Sequence, residues 1–298
     1  MKKSRRTGFW KDQVAGYIFL APFLLMFIMF IVIPVLQAAY TSLTYNNLIQ
    51  KPHFIGLSNY RTLFTEDDVF ITALVNTLTF AFIVGPAGYM ISFIMAWAIN
   101  MFRARSVFSL ALYIPSITSG VAMSAVWLYA FSNDRYGFIN NILYNIGLIN
   151  TPVLWLSNVR LILPVIMVIS LWMSLGNGFL VFLAGLRNVP TDLLEAGRID
   201  GVKSRLQELF TIILPTMKPQ LLFGAVNSIV GSFAVFEITV VVAGMPSPNY
   251  AAHTIVAHMF DQAFIRFDMG YASAIAMFLF AFTFVLSRIF MRILSDND

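Results

Sequence analysis

The chain has 298 residues, of which 59% are hydrophobic and only 11% charged, far from the soluble balance of about 25% charged residues, so a soluble domain is excluded and a polytopic membrane protein is expected. One membrane domain of about six apolar spans, each of roughly 20 to 25 residues, accounts for this length. With no cysteine, disulfides, thiolate metal sites and thiol nucleophiles are excluded, and the net charge of +5 reads as marking a cytoplasmic face, with no nucleic acid as partner.

Residues 1–16 carry Lys2, Lys3, Arg5, Arg6 and Lys11 and are expected to form a cytoplasmic N-terminus, with residues 17–298 as a single transmembrane domain. The apolar run from Tyr17 to about Leu43 is far longer than the 7 to 15 residues of a signal-peptide core, so it reads as a retained first span in which Pro22 and Pro34 are tolerable. A polar loop, 44–70, contains Phe54-Ile-Gly-Leu-Ser-Asn-Tyr60 and Glu66-Asp67-Asp68. The second span covers about Thr72 to Met101, interrupted by Pro86, and the third about Val107 to Phe131, with Trp127 and Tyr129 as an interface belt. Residues 132–158 form a polar and aromatic loop with two short helical runs at most. The fourth span runs from about Leu161 to Leu183 and contains Gly176-Asn-Gly178.

A cytoplasmic loop of about 184–218 follows, the longest charged and patterned stretch between spans. Asp192 with Glu195 fits a capping-box start, Asp200-Gly201 a turn, and Leu206, Leu209, Phe210 and Ile213 recur at helical spacing until Pro215. The expectation is helix, glycine turn, helix; an ordinary amphipathic surface helix capped by Glu195 is the other reading of the pattern. The fifth span continues from Lys218-Pro219 to about Val242, where Gly224, Ser228 and Ser232 repeat at i, i+4, i+8 and permit close helix approach. An outer loop, Ala243 to Phe267, leads to the sixth span, about Met269 to Ile289.

Orientation follows from the basic residues. Only Lys51, Arg61, Arg135, Arg160 and Arg266 of the 19 Lys and Arg fall on the side opposite the 184–218 loop. The positive-inside rule therefore places that loop, and both termini, in the cytoplasm.

The run Glu195-Ala196-Gly197-Arg-Ile-Asp200-Gly201, followed by Ile213-Leu-Pro215, resembles the EAA motif of permease subunits in binding-protein-dependent ABC importers. Gly197 and Val202 stand where that motif usually has alanine. Phe54 to Tyr60, Asn76-Thr77-Leu78 and Gly270-Tyr-Ala-Ser-Ala274 resemble the sugar-importer branch, so the likeness extends from about Phe54 to Ala274. It implies the all-α, type I importer permease fold, with Glu195, Ala196, Gly197, Asp200, Gly201, Leu206 and Phe210 docking into cytoplasmic ATPases. It also implies the partners: a second, different permease chain, two ATP-binding subunits that hold ATP and Mg, an extracytoplasmic solute-binding protein, and a sugar, all at a bacterial inner membrane. Substrate would pass between the fourth and fifth spans, directing attention to Ser170, Trp172, Ser174, Asn227, Ser228, Ser232, Phe233, Phe236 and Glu237. Phe236-Glu237 stands where the branch often has Phe-Asp, but the glycine-rich turn that should follow is replaced by Ala243-Gly-Met-Pro246.

The chain is expected to be no enzyme and to hold no cofactor. Gly197-Arg-Ile-Asp-Gly201-Val-Lys-Ser204 departs from the phosphate-binding Gly-x4-Gly-Lys-[Ser/Thr] spacing, so nucleotide work falls to another chain. His253 and His258 read as outer-loop residues, with no metal site. Glu237 is the only acid within a span, and intramembrane carboxylates mark pathways. A proton-coupled secondary transporter using Glu237 is therefore the rival, and a membrane-bound assembly factor a third reading.

Overall fold

The first apolar run folds into a helix that a proline should break. In the computed structural model, which describes residues 4–102, 105–118 and 120–295, helix α1 runs Ser4–Phe27, widens into a π-helical turn at Ile28–Val32 and closes with Ile33–Thr41. The wide turn lies just before Pro34, whose ring would otherwise strike the carbonyl one turn back. Among the basic residues that set the orientation, Lys2, Lys3 and Arg103 lie outside the described residues.

A two-residue antiparallel pair, Thr44–Tyr45 with His53–Phe54, closes the first loop and is the only strand pairing among the described residues. Helix α2 (Ser58–Thr65) leads into α3 (Asp68–Asn100), whose N-terminus is capped by Asp67 accepting from the Phe70 N–H at 2.8 Å. Pro86 does not interrupt α3.

The third span departs from expectation. It consists of α4 (Arg105–Ile117) and α5 (Gly120–Ala130), bent by 97°. Among the described residues five helices are long and apolar enough to cross a membrane, six if this bent pair is one crossing. The fourth span is also broken, into α7 (Ile162–Ser174) and α8 (Asn177–Arg187), after the short helix α6 (Phe138–Asn145).

Helix α9 (Thr191–Ile199) and α10, a continuous helical run made of Arg205–Glu208, Leu209–Ile213 and Leu214–Thr216, form the loop between the fourth and fifth spans. Pro215 does not end α10. A second π-helical turn, Leu209–Ile213, sits two residues ahead of it as the first does ahead of Pro34, so the helix absorbs the proline. The fifth span comprises α11 (Lys218–Phe233) and α12 (Glu237–Ala243), broken at Ala234 to Phe236. Helix α13 (Ile255–Phe260, continuing as Asp261–Ile265) occupies the expected outer loop, and α14 (Met269–Ser295) ends the described chain.

Trp127 does not belong to an interface belt. It packs on the apolar core and against Trp172, ring centroids 5.2 Å apart, while Tyr129 stays exposed.

The core is layered along the helices. One apolar cluster joins Phe80 and Val84 of α3 to Ile162–Ile169 of α7 and Ile238 of α12. A second joins Ala96 and Ile99 of α3 to Phe179, Phe182 and Leu183 of α8, with Leu209 and Ile213 of α10 and Met217. Between them, on the same three helical tracks, stand Gly88 and Ser92, Ser174 and Gly178, and Gly224, Ser228 and Ser232. Apolar residues above and below hold the helices together, and small or hydroxylated residues between keep them from closing.

Candidate functional site: a small-residue cavity and its cytoplasmic lever

The middle layer encloses a cavity of about 530 Å³ lined by Ser170, Ser174, Asn227, Ser228 and Ser232 together with Gly88, Tyr89 and Ser92 of α3. An adjoining space of about 450 Å³ shares Ser170 and Ser174 and adds Phe236, Glu237, Gly120 and Ser124. Seven of the nine residues expected on the pathway thus come together. The other two lie outside both linings: Phe233 is buried with its ring 5.5 Å from Phe282, and Trp172, 38% exposed, has its ring 5.2 Å from that of Trp127.

Helix α3 is what sequence reasoning missed. Its Gly85, Gly88 and Ser92 stand at i, i+3, i+7, one helix face of small residues like the i, i+4, i+8 set of Gly224, Ser228 and Ser232. A Cβ on Gly88 would lie 2.8 Å from Ser174 Oγ, and the Ser228 hydroxyl donates to the Gly85 carbonyl at 2.7 Å. Most of these hydroxyls are already engaged with backbone: Ser174 donates to Leu171 O and Ser232 to Ser228 O. Ser170 Oγ has no partner and lines both spaces, leaving it able to bond a guest.

Three helix breaks meet at the second space. Gly176, at the α7–α8 break, has no room for a Cβ because the Ser116 side chain of α4 lies against it. Gly120, at the start of α5, is pressed in the same way by the carboxylate of Glu237, the first residue of α12. Glu237 therefore stands at a break in the fifth crossing and not within a continuous span. Its carboxylate makes no hydrogen bond or ion pair among the described residues, and no Lys, Arg or His lines either space. Interrupted helices at membrane depth are tolerated where they line a cavity, because the freed backbone groups need polar company.

The cytoplasmic element is built by local rules. Helix α9 follows Pro190 with no side-chain cap, so the capping box expected from Asp192 and Glu195 does not form; Asp192 lies inside the first turn, where it favours the helix dipole. The helix ends at Gly201, φ +95°, with Gly201 N–H bonding Arg198 O and Val202 N–H bonding Gly197 O at 2.9 Å, a Schellman cap. A Cβ on Gly197 would meet only the tip of Ile212, Cδ1, a flexible end that can turn aside, so Gly197 brings α9 and α10 close without being the only residue that fits. The reciprocal cap sits instead at α10: Ser204 accepts from Gln207 N–H at 3.1 Å, and Gln207 Oε1 accepts from Lys203 N–H at 3.1 Å. The Ser-x-x-Gln signal of that cap is present in the sequence twelve residues after Asp192 and Glu195.

Helix α10 presents two apolar faces. Leu209 and Ile213, with Met217 beyond, are buried in the inner cluster, whereas Leu206 and Phe210 remain 58% and 66% exposed and Ile199 of α9 87% exposed. Glu195, Ala196 and Asp200 are exposed beside them.

A third polar site was not expected at all. His253 is in the loop as expected, but His258 lies in α13; both are buried, and His258 Nε2 is 2.8 Å from Asp67 Oδ2, which also accepts from Tyr271 OH at 2.6 Å. Burial works against the Asp67 charge, but hydrogen bonds from His258, Tyr271 and the Phe70 N–H outweigh it and hold its carboxyl well below the usual range. Burial, helped by the charge of His258, pushes His253 down to about 4.

Residues 88–296 match the family of binding-protein-dependent transport system inner membrane components, and the chain belongs to that family. It is thus a multi-pass membrane permease of an ABC transport system and not an enzyme. It is 34% identical to the probable ABC transporter permease protein YesP of Bacillus subtilis (strain 168), across 93% of this chain and 88% of that protein. It is 31% identical to the arabinooligosaccharides transport system permease protein AraP of the same organism, across 97% and 91%. A crystal structure of a bacterial alginate ABC transporter in complex with an alginate pentasaccharide-bound periplasmic protein contains a chain of the same fold, TM-score 0.81 at 22% identity, covering 97% of each chain. Nothing in these relationships supports a proton-coupled transporter.

Proposed function

We propose that this chain forms one half of the translocation pathway for a sugar or oligosaccharide in a bacterial inner membrane, paired with a second and different permease chain. An extracytoplasmic solute-binding protein delivers the sugar, and two cytoplasmic subunits holding ATP and Mg supply the work. The name of AraP, an arabinooligosaccharide permease, and the pentasaccharide-bound periplasmic protein of the alginate importer support the substrate class and the solute-binding partner. The cavity chemistry fits: the hydroxyl of Ser170, the Asn227 amide and the Glu237 carboxylate offer bonds to sugar hydroxyls, and Tyr89, Phe182 and Phe236 offer aromatic surface.

One observation carries the mechanism. Helix α10 is continuous almost to Met217, which is fully buried in the inner cluster, and α11 starts at the next residue and bears Asn227, Ser228 and Ser232. A push on the exposed face of Leu206 and Phe210 therefore reaches the cavity wall through packed helix, with no flexible loop between. Closure of the ATPases would tilt α10, carry α11 with it and open or close the cavity toward one side. Glu195, Ala196, Gly197, Asp200 and Gly201 hold α9 and α10 as one rigid body against the ATPase.

The test is the assembled importer in proteoliposomes, with sugar uptake and ATP hydrolysis read together. Glu195→Lys is expected to insert and assemble but lose uptake. Uptake that persists without any ATPase and collapses with the proton gradient would overturn the reading.

A further inference from the structure

Residues 135–160 contain Arg135 and Arg160 and not a single Asp or Glu. This segment lies between the third and fourth crossings, and α7 with α8 separates it from the α9–α10 lever, so the two are at opposite ends of the same crossing. Its one helix, α6, is fixed in orientation by a buried amide. Asn140 Nδ2 donates to the carbonyls of Ser132, Asp134 and Val153, and its Oδ1 accepts from Val153 N–H and Trp155 Nε1. Every bonding position of that side chain is used, so α6 cannot roll.

With Asn140 and Ile139 turned inward, the outward surface is divided lengthwise. Phe138, Ile142 and Ile146 form an exposed apolar stripe at i, i+4, i+8. Beside it Asn141 and Asn145 form an amide stripe, the two side chains bonded to each other at 2.9 Å. Gly147, φ +76°, stops the helix and leaves Leu148 exposed at its end; Tyr136 is exposed at its start. Arg135 lies 3.9 Å above the Tyr144 ring.

A solute-binding protein, another permease chain or lipid could cover this stripe. Lipid fits the chemistry. Apolar and amide stripes run side by side on the outward face, as on a helix half immersed in a surface; Tyr and Arg at its margins are the side chains that favour the headgroup level; and Val126 and Tyr129 at the end of α5, the preceding helix, are likewise exposed. The one carboxylate at its start, Asp134, accepts from Ser132 Oγ and the N–H groups of Tyr136 and Gly137, and residues 135–160 add none that would repel anionic phospholipids.

We propose that α6 is a membrane-surface helix, with Phe138, Ile142 and Ile146 seated at the boundary of headgroups and acyl chains and Arg135 at the phosphate level. This requires only that the chain spans a membrane and is independent of the sugar reading. The absence of cysteine makes the test direct. Phe138→Cys, Ile142→Cys, Ile146→Cys, Asn141→Cys and Asn145→Cys are each spin-labelled in the complete importer, in phosphatidylethanolamine and phosphatidylglycerol nanodiscs. Collision with oxygen should exceed collision with a water-soluble nickel chelate several-fold at 138, 142 and 146, with the order reversed at 141 and 145. Labels are read only in variants that elute with the cysteine-free parent, and a bimane label quenched by doxyl lipid repeats the measurement at 142 and 146. Equal nickel access at all five positions would overturn the proposal. So would shielding of the stripe from both colliders, which means a permease neighbour, or shielding that appears only when the solute-binding protein is added.

Discussion

Helices α6 and α9 end in the same way and do different things. In each, a glycine with positive φ closes a Schellman cap: Gly147 N–H to Tyr144 O with Leu148 N–H to Leu143 O, and Gly201 N–H to Arg198 O with Val202 N–H to Gly197 O. In each, apolar side chains are left exposed nearby. The difference lies beyond the glycine. After Gly147 the chain is pinned by Asn140 and Asn133 to the outer core, whereas after Gly201 it enters α10, which leads through Met217 into the cavity wall. The cap sets the local shape, and the connection on its far side decides whether that shape can transmit force.

The sharpest way to break the comparison is to damage both caps alike. Proline at either glycine forces φ back to about −65° and removes the capping N–H, each a strain of about 1–3 kcal/mol. Gly201→Pro is expected to abolish uptake in proteoliposomes while the protein still inserts. Gly147→Pro should cost comparable stability, read as a lower melting temperature in detergent, yet keep most of the uptake. Loss of uptake in both, or in neither, removes the mechanical distinction.

A second contrast lies within α10. Leu206→Asp with Phe210→Asp changes exposed residues and should leave folding intact, because surface changes usually stay within about 0.5 kcal/mol. Co-purification of the ATPase subunits should nevertheless fall at least tenfold, about 1.4 kcal/mol. Leu209→Asp, one residue away on the buried face, should instead destabilise the permease itself, since an unpaired charge would enter the inner cluster. Unchanged ATPase recovery with the double variant would move the docking surface elsewhere.

A smaller and more local effect is expected in the cavity. Gly88→Val adds branches where even a Cβ would lie 2.8 Å from Ser174 Oγ, so it should narrow the space between α3 and α7. Uptake is expected to fall by about tenfold, with overpacking costing about 1–3 kcal/mol, while the ATPase subunits remain bound. Retained ATPase with reduced uptake separates the pathway from the lever.

These contrasts also show which parts were legible in the sequence. The lever could be read because its signals are local: Asp200-Gly201 makes a turn, and the spacing of Leu206, Leu209, Phe210 and Ile213 makes a helix. Its first helix starts where Asp192 and Glu195 place it, although Pro190 stands at the cap and no capping box forms, and its end extends further than Pro215 suggests because a π-helical turn lets that proline continue the helix. The cavity was only half legible. Ser228 and Ser232 announce a close approach but not which helix makes it, and Gly85, Gly88 and Ser92 become partners only in the tertiary fold. The helix breaks near 118, 176 and 235 were invisible to hydropathy, which averages over a crossing and sees no change where the backbone bends. The Asp67–His258–Tyr271 cluster joins residues 191 and 204 positions apart, so no motif could have announced it.

That outer cluster makes the last prediction, the smallest in its effect on transport. His253 packs against His258 with ring centroids 5.6 Å apart, and Asp67, Asp261 and Arg266 also act on it. Its folded-state value of about 4 lies below the ordinary 6.5, so between these limits the unfolded segment binds the proton that the folded one refuses. The stabilisation is complete above pH 6.5 and is lost as pH falls toward 4, at up to about 1.4 kcal/mol per pH unit. Asp67, held below the ordinary 3.8, contributes a constant stabilisation across most of that window and loses it only at still lower pH. Amide exchange of residues 250–260, read between pH 7 and 5 and corrected for its intrinsic pH dependence, should therefore show protection falling with acid, and His253→Gln should flatten the slope while leaving the lever untouched. A slope that persists in His253→Gln would place the titrating group elsewhere in the cluster.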